Sequence, residues 1–232
     1  MACLLSIETS TTVCSVAVSL DGKLFFERIS FDGPSHAALL GVFVEEALAR
    51  LKEESIALDA VAVSGGPGSY TGLRIGVSLA KGLCFGYGIP LISLSTLEVM
   101  ASRVIQEKQD ADALYCAMLD ARRMEVYAAV YDSHLQTVRE VAADIVTSDT
   151  YSPYLADKKV WFFGNGAAKC QEIIASSNAA FVDDIYPLAT DMIPLAEKAF
   201  HDKRFENVAY YEPFYLKEFI ATIPKNKILG GV

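Results

Sequence analysis

The apolar and polar positions of the 232-residue chain fall into short segments that alternate between two periods. Three strand-like runs come first. Leu4 to Glu8 is mostly apolar, and Cys14 to Leu20 is rich in small and β-branched side chains. Lys23 to Ser30 returns after Asp21-Gly22, a strong hairpin signal. The period then lengthens. From His36 to Lys52, Leu40, Val44, Ala47 and Leu51 recur at helical spacing behind Ser35 as N-cap, and Leu39, Phe43 and Leu48 widen the stripe. A stripe this wide serves either core alone or core plus a partner surface. Ala60 to Ser64 reads as a buried strand, Leu73 to Phe85 as a helix, and Ile89 to Ser95 as a strand. Thr96 to Lys108 is again helical, with Glu98 in its first turn.

A second set begins near Ala113. Strands are predicted at Leu114 to Leu119, Val126 to Tyr131, Leu135 to Val141 and Lys159 to Phe163, with helices at Ala167 to Ser176 and Met192 to Lys203. A meander followed by βαβα is thus succeeded by a partial, degraded version of itself. That order predicts an α/β protein with mixed sheets and helical crossovers. The expected division is a first lobe at 1–108, a smaller second lobe at 109–224 and a loose tail at 225–232.

Composition narrows the function classes. Just over half of the residues are hydrophobic, enough for a substantial core, yet no run of about 18 apolar residues is present to span a membrane. The start MACLLSIETS lacks a basic segment and is interrupted by Glu8, so no signal peptide is expected. Cys3, Cys14, Cys84, Cys116 and Cys170 are scattered in apolar surroundings and form no CxxC. They read as buried, reduced thiols of a cytoplasmic protein. The net charge of −9 disfavours autonomous binding to RNA or anionic membrane, and the basic clusters Arg122-Arg123, Lys158-Lys159 and Lys225 to Lys227 are short.

The densest candidate chemistry is GGPGSYTGLRIG, Gly65 to Gly76, between a strand and a helix. Gly66 and Gly68 permit a positive φ, and the following helix N-terminus carries partial positive charge. The segment reads either as an anion cradle or as a tight strand-to-helix turn. It is no Walker A loop, because Leu73 follows Gly72 where a lysine would stand, and it contains no GxSxG. Beyond it, Gly72, Gly76 and Ala80 form a ridge of small residues that admits a close neighbour, from this chain or from another subunit. Glu8, in IETST, is the best-placed acid, and Thr9 and Ser10 could donate to a phosphate beside it. Gly164-Asn165-Gly166 is half of a dinucleotide fingerprint. His36, His134 and His201 stand far apart, with none of the spacings a metal hydrolase needs, so neither metal nor cofactor is expected.

In order, IETST, PSH at 34–36, GGPGSYTGLRIG, LSTLE at 94–98, DARRMEVYAAVY at 120–131 and GNGA at 164–167 resemble the TsaB (YeaZ) family of the bacterial tRNA threonylcarbamoyladenosine pathway. The resemblance extends to about Leu216. It implies an actin-like (ASKHA, ribonuclease H-like) fold of two lobes. It also implies a non-catalytic subunit that pairs with a catalytic paralogue, TsaD, is joined by a small ATPase, TsaE, and meets tRNA only through the complex. Family members dimerise through their first two helices, so the resemblance places Leu40, Phe43, Val44, Ala47, Leu51, Leu73, Gly76, Ala80 and Leu83 at or just under a partner or homodimer contact. The catalytic paralogue carries an HxxxH pair on its first helix. Here Leu40 takes the second position, and Glu8 replaces the usual Asp. Glu8, Thr9, Ser10, Gly66, Gly68, Gly164 and Gly166 then mark a vestigial nucleotide or anion site. The alternatives are an actin-like ATPase or small-molecule kinase and, further off, a metallopeptidase.

Overall fold

A computed structural model describes residues 2–33 and 35–216. Its strands form two five-stranded sheets. In the first, β1 (Cys3–Glu8) lies between β2 (Cys14–Leu20) and β4 (Ala60–Gly66), with β3 (Lys23–Ser30) and β5 (Leu91–Ser95) at the edges. In the second, β6 (Leu114–Asp120) lies between β7 (Glu125–Tyr131) and β9 (Val160–Phe163), with β8 (Thr137–Ile145) and β10 (Ala179–Val182) outside. Each sheet opens with three antiparallel strands, after which two further strands run parallel to the first. The two orders are therefore the same, β3-β2-β1-β4-β5 and β8-β7-β6-β9-β10. This duplication is the actin-like, ribonuclease H-like architecture.

The alternation of side chains across a strand assigns each sheet two cores. Leu5, Ile7, Val16, Val18, Val61 and Val63 face α1 (His36–Glu53) and α2 (Tyr70–Tyr87). On the opposite face, Leu4, Ala60, Ala62 and Ile92 meet α3 (Thr96–Lys108) and α5 (Ile193–His201). Leu97, Met100 and Val104 of α3 also pack on Tyr115, Ala117 and Leu119, so this helix joins the two sheets. The far face of the second sheet, with Cys116, Met118 and Phe162, is covered by Tyr151, Ala167, Cys170 and Ile174 and by the short α4 (Ser152–Leu155).

Several elements depart from the sequence reading. The helix expected at 167–176 is a short 3-10 turn, Ala168–Cys170, followed by further tight turns. Ala167, Cys170 and Ile174 are buried as the periodicity requires, but i→i+3 bonds such as Ile173 N–H to Cys170 O carry them. β10 was not foreseen: Ala179–Val182 is four half-buried residues, too short to establish a period. α2 begins at Tyr70 rather than Leu73, because the Ser69 side chain accepts from Gly72 N–H and starts the helix one turn earlier. The second sheet ends at Val182, whereas α5 and the segment through Tyr211 lie back on the first lobe, so the span expected for lobe two contains part of lobe one. The tail at 225–232 lies outside the described residues. Among the described residues, no helix is long and apolar enough to cross a membrane.

Candidate functional site

A cavity of about 740 Å³ opens between the lobes, at the C-terminal ends of the central strands β1, β4, β6 and β9. Its walls are the turn after β1 (Ser10–Thr12), the first turn of α2, the turn after β6 with Asp120 and Arg122, and Asn165 after β9. Tyr70, Tyr127, Phe214 and Tyr215 add aromatic surface, with the Tyr70 and Tyr215 rings 4.8 Å apart.

The glycines of GGPGSYTGLRIG hold this wall together, and two of them, Gly68 and Gly72, also line it. A Cβ at Gly72 would run into the Thr9 carbonyl oxygen, and one at Gly68 would lie 2.8 Å from Ser10 Cβ. Without those Cβ atoms, Ser69 N–H donates to Ser10 O at 2.6 Å and Thr9 Oγ1 donates to Gly72 O at 2.9 Å. The second lobe repeats the device: a Cβ at Gly166 would stand 2.8 Å from the Leu119 carbonyl carbon, and Gly166 N–H reaches Met118 O at 3.1 Å. In both lobes, a glycine turn behind one central strand is seated on the end of its neighbour.

The seven residues proposed for an anion site therefore separate. Ser10 and Gly68 line the cavity. Glu8 and Thr9 are fully buried behind it, and Gly66, Gly164 and Gly166 support the turns. Glu8 Oε1 accepts from Ser10 N–H at 2.5 Å, while Oε2 has no partner. Burial pushes its pKa up to about 7, with the neighbouring polar groups of Ser10 and Ser64 opposing the shift. A carboxyl so placed is a structural acid without access to a ligand. His36 is also committed: its Nε2–H donates to Thr11 O at 2.7 Å, tying the start of α1 to the β1–β2 turn. Among the described residues, no three His, Cys, Asp or Glu side chains form a metal-holding group. The five thiols are all buried, and burial raises each of them, Cys3, Cys14 and Cys84 to about 11.

Arg122, Asn165, Tyr70, Tyr127 and Tyr215 also reach the cavity; the sequence offered Arg122 only in a short basic cluster and Asn165 only within half of a fingerprint. DARRMEVYAAVY was visible there as a motif, but only the duplicated topology brings its first turn opposite IETST.

The helix positions proposed for a partner contact also divide. Leu40, Val44, Ala47 and Leu51 are at most 3% exposed and pack on the first sheet. Leu73 and Ala80 are equally buried, and a Cβ at Gly76 would meet Thr9 Oγ1. The small-residue ridge thus faces this chain's own β1 and not a second subunit. Phe43 and Leu83 remain half-buried, together with Leu39, Ile75 and Leu79. The exposed positions of the two helices include Gly41, Val42, Gly82, Phe85, Gly86 and Tyr87 beside charged residues such as Glu45, Glu46 and Arg74, with Phe85 86% exposed and open space where each of these glycines would carry a Cβ.

The family model described as TsaD, tRNA N6-adenosine threonylcarbamoyltransferase, matches residues 33–225. A tRNA threonylcarbamoyladenosine biosynthesis protein TsaB of Escherichia coli is 30% identical over 226 residues, covering 94% of this chain and 96% of that protein. The TsaB of Haemophilus influenzae is 30% identical, covering 92% and 93%. Among solved structures, YeaZ from Pseudomonas aeruginosa superposes with a TM-score of 0.79 at 28% identity, over 93% of this chain and 100% of that one. With matches of this extent in sequence and a shared duplicated fold, the chain belongs to the TsaB (YeaZ) family.

Proposed function

We propose that this protein acts in tRNA threonylcarbamoyladenosine biosynthesis in the cytoplasm, as a non-catalytic subunit that docks a TsaD-type catalytic paralogue through the outer face of α1 and α2. The names of its relatives support the pathway. The observation that carries the docking role is the outer face itself. Val42, Phe85 and Tyr87 are exposed beside three glycines that leave room for close approach, while the inner faces of the same helices are fully used by the chain's own core. A half-buried belt of Leu39, Phe43, Ile75, Leu79 and Leu83 underlies it. A specific contact needs roughly 1,000 Å² or more of buried surface, which the two 18-residue helices would have to provide. Exposed apolar surface of this kind seeks a partner, the paralogue when present and a second copy otherwise.

The non-catalytic role rests on what replaces the chemistry. Leu40 stands one helical turn after His36 and is packed in the core, and the His36 ring is held by Thr11. The TsaE-like ATPase and tRNA then meet this subunit only within the assembled complex.

Co-purification with the TsaD paralogue of the same organism tests the reading. Phe85→Glu places a charge on the outer face, in the last turn of α2. The expected result is loss of the complex with an unchanged melting temperature, because Phe85 makes no core contact. Retention of the complex by the folded variant refutes the docking face. Catalysis of threonylcarbamoyl transfer by the isolated chain refutes the non-catalytic role.

A further inference from the structure

We infer, on the docking role proposed above, that the segment 207–215 is a strap belonging to the surface on which the TsaD-type paralogue docks, and that docking clamps it against the rim of the cavity. Two glycines of the motif seat this strap. A Cβ at Gly65 would meet Ser93 Oγ and the Tyr211 hydroxyl, and one at Gly66 would stand 2.7 Å from Phe214 O. Without them, Phe214 N–H donates to Gly65 O at 2.7 Å, and the Ser93 and Tyr211 hydroxyls share a hydrogen bond of 2.5 Å. The first half of GGPGSYTGLRIG thus admits a distant segment of its own chain.

The helix α2 holds the strap from the side. Lys81 Nζ donates to Tyr211 O at 2.9 Å and to Ala209 O at 3.3 Å. At the start of the same helix, the Tyr70 ring lies 4.8 Å from the Tyr215 ring. Tyr70 and Lys81 stand about 16 Å apart along the helix axis, and residues 211–215 reach about 13 Å only when nearly extended. The strap therefore runs antiparallel to α2 as extended chain. Its end carries Phe214 and Tyr215 to the cavity wall, so whatever fixes the strap on α2 also fixes that wall.

The outer side of this assembly is aromatic. Arg74, Ser78, Lys81 and Phe85 recur at helical spacing and share one stripe of α2. Tyr210 stands between the two carbonyls that Lys81 holds, and it is 84% exposed. Phe85 lies one turn further along the stripe, so a protein seated on Phe85 reaches Tyr210. Glu206 N–H donates to Leu91 O at 2.8 Å, which brings the exposed Phe205 to the edge of the first sheet, close after the exposed Tyr87. Exposed aromatic side chains gathered in this way are those that anchor protein contacts. The occupant is the paralogue, because the patch continues the α2 face assigned to it and adds to the roughly 1,000 Å² that the contact needs.

Amide hydrogen exchange of the full chain, read by mass spectrometry over residues 205–216, tests this with and without the paralogue of the same organism. In the isolated chain, Lys81→Met is expected to speed exchange of the strap by about tenfold or more, while peptides from β1 and α1 match the parent. Complex formation is expected to slow exchange of the parent strap by about tenfold or more. Tyr210→Glu is expected to weaken the complex by about tenfold or more at an unchanged melting temperature, since the side chain is exposed. A complex that forms while strap exchange stays unchanged overturns the inference and leaves the docking role standing. Failure of the parent to form any complex overturns both. Unchanged strap exchange in Lys81→Met, or full affinity in Tyr210→Glu, also overturns the inference. If Tyr210→Glu instead dissociates a homodimer and spares the paralogue complex, the patch serves a second copy and the inference is refuted.

Discussion

Replacing Glu8 by Gln isolates the energetic role of the one carboxyl that is sealed beneath the glycine-rich turn. The side chain is completely buried, one oxygen accepts from Ser10 N–H, the other has no partner, and burial raises the pKa from 4.5 to about 7. The sign follows from proton linkage. A carboxyl with a raised folded-state pKa binds its proton more tightly in the folded chain. Its stabilising protonated form is therefore fully present below pH 4.5 and is lost as pH rises through about 7. At 1.36 kcal/mol for each pKa unit, the whole effect is about 3 kcal/mol, with a little over 1 kcal/mol of it between pH 6 and 8. Asp191, raised by burial to about 6, has the same sign but acts mainly at lower pH. Glutamine keeps the acceptor for Ser10 N–H and carries no charge. Urea unfolding at pH 6, 7 and 8 should show the parent chain losing stability with pH while Glu8→Gln stays level, so that the variant is the more stable protein at pH 8. Parallel profiles for the two proteins would refute the argument that a buried, half-satisfied carboxylate is ionised in this range.

Gly72→Ala should destabilise the fold by about 2 kcal/mol in urea titrations, since overpacking against the Thr9 carbonyl outweighs the roughly 1 kcal/mol that alanine gains over glycine in a helix. An unchanged midpoint would mean that α2 is not seated on β1 as described. Tyr151→Phe removes the hydroxyl that donates to Asp144 Oδ2 at 2.7 Å, in a buried network where Arg139 also grips Asp144, and should cost about 1–2 kcal/mol by the same measurement.

The fold was largely legible because its core strands are short, apolar and punctuated by strong turns, as at Asp21-Gly22, and because α1 repeats Leu40, Val44, Ala47 and Leu51 without interruption. β10 and the turns after Gly166 were not, since four residues carry no reliable period and i, i+3, i+7 burial is compatible with successive tight turns. The candidate site was legible only in part. Ser10 and Gly68 line the cavity, whereas Glu8 is buried behind it, because ending a strand says nothing of which side of the turn a carboxyl occupies.

By itself, the sequence determined the order of elements in the first lobe and part of the second, the absence of a Walker A lysine or paired histidine, and the family. These depend on residue type and spacing along the chain. Tertiary structure alone decided which neighbour each glycine admits. Gly72 and Gly76 are spaced for a helix partner, yet the space beside them is filled by Thr9 of the same chain, while Gly82 and Gly86 on the same helix face open space. Periodicity fixes the face of a helix on which a residue lies, and only packing fixes what that face meets. The same limit applies to Arg122, which lines the cavity only because two lobes place the ends of β1 and β6 across it.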